Sequence, residues 1–166
     1  MPGVNLNHEE ALARSAHLSV ESYHVDLDLT TGAETFRAKT TVKFRSSKPG
    51  SNTFIDAVGK TMYSATLNGV ALEPSAFDGE SIHLSNLAAE NTLVVDLEGV
   101  YSATGEGLHR FVDPSDSEVY LYTQFEVADA RRMYACFDQP DLKATFTLSA
   151  ITPQHWEVIS NNPVAE

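Results

Sequence analysis

Apolar and polar side chains alternate along the first quarter of the chain. From residue 20 to 29, Tyr23, Val25, Leu27 and Leu29 fall on one face and His24, Asp26 and Asp28 on the other. From 36 to 45 the pattern repeats, with Phe36, Ala38, Thr40, Val42 and Phe44 set against Arg37, Lys39, Thr41, Lys43 and Arg45. A period of two over this length marks strands, and the Thr31-Gly32 turn signal between them predicts an antiparallel hairpin with one wet face. Asp26 and Asp28 then stand opposite Arg37, Lys39 and Lys43, cross-strand pairs that contribute roughly 0.2–1 kcal/mol each. Shorter strands are predicted over 53–57, 82–84 and 92–97. Residues 64–72 carry Asn68-Gly69 between apolar neighbours, the strongest local hairpin signal in the chain. Residues 143–151 alternate again, with Ala144, Phe146, Leu148 and Ala150 on one face, and a further strand is predicted to begin over 156–160. Residues 7–16 suit a short helix with Asn7 as N-cap and Glu9 and Glu10 in the first turn. Leu12 is its main apolar residue, so it reads as a lead-in segment with a thin docking face. Residues 102–117, with Gly105, Gly107, Asp113, Pro114 and Asp116, read as a loop. The fold class predicted is all-β, mainly antiparallel, a β-sandwich with a short N-terminal helix.

Composition narrows the function classes. The chain has 166 residues, 42% of them hydrophobic, enough for one domain with a real core. Its formal net charge of −12 argues against nucleic-acid phosphates and anionic membranes as partners. Cys136 is the single cysteine, so no intrachain disulfide forms. No apolar run approaches the ~20 residues that span a bilayer. The first residues lack the basic start and apolar centre of a secretory signal, so a cytoplasmic location is expected.

One stretch, 120–144, departs from the strand pattern. A strand over 119–123 delivers Gln124 and Glu126. The chain then runs through Asp129, Arg131 and Arg132 into Tyr134, Cys136 and Phe137 and the turn Asp138-Gln139-Pro140-Asp141. Polar residues placed among aromatics need partners. Asp129, Arg131, Arg132, Asp138 and Asp141 are expected to form a local ion-pair network. Cys136 lacks a histidine nearby in sequence and reads as a buried structural cysteine rather than a nucleophile. The six histidines are scattered. His8-Glu9-Glu10 comes nearest to a zinc motif, but Leu12 stands where a second histidine would have to be. On a continued strand, Gln124 and Glu126 point to one face. A carboxylate beside an amide can receive a cationic amine; two solvated residues at a strand end give the same pattern, and pattern alone favours that second reading.

The segments Tyr122-Thr123-Gln124-Phe125-Glu126, Ala130-Arg131-Arg132, Cys136-Phe137-Asp138, Pro140, Lys143-Ala144 and Phe146 resemble the N-terminal domain of the aminopeptidase N family, zinc metallopeptidases of the gluzincin type. Ser160-Asn161 with Pro163-Val164 fits the same pattern, and Gly105 to Phe111 is similar to actinobacterial-type members. The resemblance implies a saddle-shaped, β-rich N-terminal domain over residues 1–166, lacking its last strands. It also implies a thermolysin-like catalytic domain downstream that binds one zinc ion and supplies the catalytic residues. No catalytic residue and no metal ligand is expected in this chain, and the fragment alone is expected to be inactive. What the resemblance assigns here is substrate binding. Glu126 would hold the free α-amino group of a peptide, and Gln124 would line the same pocket. Relatives with epoxide-hydrolysing activity carry Gln at the position of Glu126, so the Glu favours an ordinary aminopeptidase. Ala135 stands where relatives often have Pro, and Asn162 where they often have Met or Gly. The alternative is a non-catalytic β-sandwich binding module.

Overall fold

The computed structural model describes residues 5–164. It opens with α1 (His8–Ser15), closed by a reciprocal cap. Asn7 Oδ1 accepts the Glu10 backbone N–H (2.9 Å), and Glu10 Oε2 accepts that of Asn7 (3.0 Å). Ten strands follow: β1 (Leu18–Asp28), β2 (Thr35–Ser46), β3 (Thr53–Asp56), β4 (Thr61–Leu67), β5 (Val70–Ala71), β6 (Ser81–Leu84), β7 (Glu90–Val100), β8 (Gly107–Val112), β9 (Val119–Gln124) and β10 (Thr145–Ile151). Six of them form one sheet in the order β10-β1-β2-β7-β4-β5, while β3-β6 and β8-β9 form separate ribbons. All pairs are antiparallel except β1 with β10. The all-β class predicted from the alternation is what the chain adopts.

The hairpin of β1 and β2 carries the core. Val25, Leu27, Phe36, Ala38, Val42 and Phe44 are buried, with Leu93, Val95 and Leu97 beside them on β7. Their burial forms one cluster with Ile55 of β3, Ile82 and Leu84 of β6, and Met133, Cys136 and Phe137 of the later connection. Phe44 meets Phe137 edge-on at 5.2 Å between ring centroids. The second layer of the sandwich is thus short ribbon and loop rather than a full sheet. A bulge in β1 between Val20 and Ser22 lets Leu18 and Val20 face inward on even positions while Tyr23, Val25 and Leu27 do so on odd ones. One extra residue is what a change of parity within a strand requires. Asn68 (φ 54°) and Gly69 (φ 80°) both occupy the left-handed region, as the tight β4–β5 turn demands.

Three expectations are corrected and one is refined. Residues 107–112 are not loop but β8, which pairs along its whole length with β9. The turn residues around them masked the Leu-His-Arg-Phe-Val run. Residues 156–160 are not a strand. After β10 the chain turns at Pro153, whose carbonyl accepts the Trp156 N–H (3.0 Å), and it joins no ladder among the described residues. Asp28 stands opposite Arg37, and Asp26 opposite Lys39, in the β1–β2 register as expected, but the Arg37 side chain makes its hydrogen bonds on the other side. Its guanidinium takes both carboxylate oxygens of Asp96 on β7 (2.7 and 2.6 Å), while Asp28 accepts from the backbone and hydroxyl of Thr30. A central strand offers its wet face to two neighbours, and the bidentate geometry wins. Finally, α1 does not dock through Leu12, which is 55% exposed; it docks through Arg14, which is 4% exposed.

Candidate functional site

Gln124 is the last residue of β9, and the chain leaves the ribbon immediately after it. Glu126 lies in the following turn, so the strand rule that would put both side chains on one face does not reach it. A different contact relates them. Gln124 Oε1 accepts the backbone N–H of Glu126 (2.7 Å), which fixes the turn from within. The Phe125 carbonyl accepts two more N–H groups, from Ala128 (3.1 Å) and Asp129 (3.0 Å). The peptide bond from Glu126 to Val127 is cis. Glu126 is exposed, and among the described residues no hydrogen bond or ion pair engages its carboxylate.

The turn is braced from below. Phe125 points inward against Tyr134, which in turn meets Tyr23 and Phe146. Arg132 Nε donates to Asp129 Oδ1 (2.7 Å), and Gly107, with φ at 65°, leaves the room that the Arg132 side chain occupies. A Cβ at Gly107 would stand 2.7 Å from Arg132 Cβ. The Arg131 backbone N–H donates to Asp138 Oδ2 (3.1 Å) and the Arg131 carbonyl accepts the Val58 N–H (2.8 Å). The network expected among Asp129, Arg131, Arg132, Asp138 and Asp141 is therefore partly backbone contact, and Asp141 lies exposed beside it.

Sequence reasoning missed the residues that hold this frame. Arg14 Nη1 donates to Asp56 Oδ2 (2.7 Å) and Arg14 Nε to Gln139 Oε1 (2.9 Å). Asp56 Oδ2 also accepts the Asp138 N–H (3.1 Å), and Gln139 Nε2 donates to the Ala11 carbonyl (2.9 Å). The guanidinium lies over the rings of Phe54 and Phe137 at 4.9 and 5.5 Å. Burial pushes the Asp138 carboxyl above its ordinary range, with the Arg131 N–H pulling the other way and the Asp56 carboxylate adding to the rise. The partners are 42 and 125 residues apart, so no local signal pointed to them.

Other candidate chemistry falls away. Burial pushes the Cys136 thiol far up, and nearby Asp138 and Asp56 add to it. That leaves a structural cysteine and no nucleophile. Among the described residues, no three or more His, Cys, Asp or Glu side chains converge as a metal site would require. No helix among them is long and apolar enough to cross a membrane. Two clefts flank the turn region. One, of about 420 Å³, has Glu126 on its rim with Phe125, Tyr134, Asp138 and Pro140. The larger, of about 630 Å³, lies beneath β9 against Leu27, Leu29, Leu148 and Trp156 and includes neither Gln124 nor Glu126.

Fold and site together define an all-β domain that presents an open carboxylate on a braced turn and carries no metal set among its described residues. Along its full length this chain is 51% identical to aminopeptidase N of Streptomyces lividans, covering 20% of that protein. The leucyl aminopeptidase of Saccharolobus solfataricus is 29% identical over 89% of this chain and 18% of its own length. The solved structure of Legionella pneumophila aminopeptidase A in complex with aspartic acid shares the fold, with a TM-score of 0.70 at 16% identity over 83% of this chain and 16% of that one. Residues 19–166 match the Peptidase M1 N-terminal domain, and the chain belongs to that family. It spans about a fifth of the length of these two curated relatives.

Proposed function

We propose that these residues form the N-terminal domain of a cytoplasmic, zinc-dependent aminopeptidase, a hydrolase that removes N-terminal amino acids from peptides. In this reading the domain packs on a thermolysin-like catalytic domain elsewhere in a longer polypeptide, and its own task is to hold the substrate's free α-amino group. The observation that supports it is the unpartnered, exposed Glu126 carboxylate on a turn fixed at both ends, in a chain of this family. A peptide α-amine has a pKa of ~7.7–8.0 and is largely cationic at neutral pH. Glu126 would bind it as a charge-assisted pair of ~1.5–3 kcal/mol. Gln124 would line the same pocket while its amide oxygen keeps the Glu126 backbone in place. Capturing the amine at a fixed point leaves only the first peptide bond within reach of the catalytic groups, which gives exopeptidase specificity. The described residues of this chain do not fit a zinc site, so the one zinc ion belongs to the remainder of the polypeptide in this reading.

The test is kinetic, on the full-length polypeptide with aminoacyl reporter substrates. Glu126→Gln is expected to lower kcat/KM by roughly 10- to 100-fold. Wild-type kinetics in that variant would remove the role assigned to Glu126.

A further inference from the structure

The Asn68-Gly69 turn between β4 and β5 is also a chemically reactive pair. Asn68 is the only asparagine in the chain that is followed by glycine. Both residues are exposed, and a Cβ built on Gly69 would meet no atom beyond its chain neighbours within 4 Å. The Gly69 backbone nitrogen, a nucleophile one residue from the Asn68 side-chain amide, is therefore open to solvent. Among the described residues no hydrogen bond engages the Gly69 N–H. The Asn68 amide, by contrast, is held. Its Oδ1 accepts the Thr92 N–H (2.8 Å), and its Nδ2 donates to Asn91 Oδ1 (3.0 Å). Asn91 is 4% exposed and is itself fixed, with Oδ1 accepting the Ala88 N–H (2.9 Å) and Nδ2 donating to the Ala88 carbonyl (2.7 Å). The Asn68 N–H adds a bond to the Thr92 carbonyl (2.8 Å). With both turn residues left-handed, the Gly69 nitrogen lies nearly anti to the Asn68 Cβ, away from the side-chain amide.

We propose that Asn68 is a site of spontaneous covalent modification, converting to aspartate and isoaspartate through a succinimide, and that its bond to Asn91 is the brake. The deprotonated Gly69 nitrogen attacks Asn68 Cγ. The N–Cγ bond forms, the Cγ–Nδ2 bond breaks, and Nδ2 leaves as ammonia after taking a proton from water. Water then opens the ring. Cleavage of the N–Cγ bond leaves aspartate; cleavage between the nitrogen and the main-chain carbonyl carbon leaves isoaspartate, with the chain running through Cγ. The net reaction consumes one water and releases one ammonia. Ring closure needs the amide free of Asn91 and Thr92 and the turn opened. β5 has two residues and pairs with β4 alone at the sheet edge, so such an opening breaks few contacts. Neither product fits the closed turn. Aspartate lacks the Nδ2 donor and sets a carboxylate against Asn91 Oδ1, and isoaspartate adds a main-chain carbon to a two-residue turn. Both release β5 from β4, at the edge of the sheet opposite β10. The inference does not depend on the role given to Glu126.

The experiment incubates the full-length polypeptide at mildly alkaline pH, native and in urea. Proteolytic peptides are mapped by mass spectrometry, and isoaspartate is read by enzymatic methylation. Position 68 is expected to show the amide-to-acid mass gain before any other asparagine of residues 1–166, with both products present. Two neutral hydrogen bonds hold the amide, so the native rate should lie roughly 5- to 100-fold below the rate in urea. Asn91→Ala removes one of them and should speed the native reaction by about 2- to 10-fold. In the modified chains the Leu72 N–H, which donates to the Ala65 carbonyl (2.9 Å), should exchange faster with deuterated solvent. Another asparagine converting first, or no mass gain at position 68 once the unfolded chain has fully converted, would overturn the site. Aspartate without isoaspartate would overturn the ring mechanism. An unchanged rate in folded Asn91→Ala would overturn the brake. Should that variant fail to fold, equal rates in the native and unfolded wild type would overturn the brake instead.

Discussion

Arg14 Nη1 stands 2.7 Å from Asp56 Oδ2, with only 2% and 7% of the two side chains exposed. This pair ties the N-terminal helix to β3, and through the Asp138 N–H it ties both to the connection that carries Glu126.

Breaking such a pair costs more than it contributes when intact, because the survivor is a buried charge. Arg14→Met is expected to lower stability by about 3–5 kcal/mol. Arg14→Met with Asp56→Asn should recover part of that, since Asn removes the stranded charge and still accepts the Asp138 N–H. Urea unfolding midpoints of the single and double variants check this, and equal midpoints would contradict it.

Asp138 gives a pH signature. Its folded pKa is raised by burial, so the native state keeps its proton to higher pH than the unfolded chain does. Stability from this group is therefore highest below the ordinary carboxylate pKa and falls as pH rises through the folded value. Asp138→Asn keeps an acceptor for the Arg131 N–H and removes the titration. The variant should gain on the wild type as pH rises from about 4 to 7. A constant difference across that range would refute the assignment.

Cys136 should be inert in the native protein. Burial raises its thiol well above the ordinary range, so almost no thiolate forms at neutral pH. Ellman's reagent is expected to detect no thiol in the native state and one per chain in denaturant.

Gly99 is set by space. A Cβ added there would lie 2.3 Å from Phe36 Cζ, and Phe36 is fully buried against Tyr101. Gly99→Ala should cost about 1–3 kcal/mol by overpacking. That corresponds to a Tm loss of roughly 2–4 °C per kcal/mol for a domain of this size, measurable by calorimetry.

Gln124 and Glu126 should separate in kinetics. Gln124→Met keeps the length and removes the acceptor of the Glu126 N–H. In the full-length protein it should raise KM by about 2- to 10-fold, the worth of one neutral hydrogen bond. Glu126→Gln should cost more. An equal or larger effect at Gln124 would assign the main substrate contact to the amide.

The alternation over residues 20–45, the Asn68-Gly69 turn and the Asn7 cap were legible because each is local. Side-chain parity, left-handed turn residues and a capping box are properties of a few neighbouring positions, and they determined the all-β class and the short helix. The sequence also singled out the stretch from 120 to 144, and its motif pointed to Gln124 and Glu126. Three things were decided only by tertiary structure. Leu12 was exposed and Arg14 buried, because the partners of Arg14 come from positions 56 and 139. Arg37 chose Asp96 over Asp28, because a central strand has two neighbours. The relation of Gln124 to Glu126 changed from shared strand face to side chain on backbone, because the ribbon ends where the turn begins. Local pattern determines which elements form. Which charge is buried, and what holds the exposed carboxylate in place, follow from contacts between residues far apart in the chain.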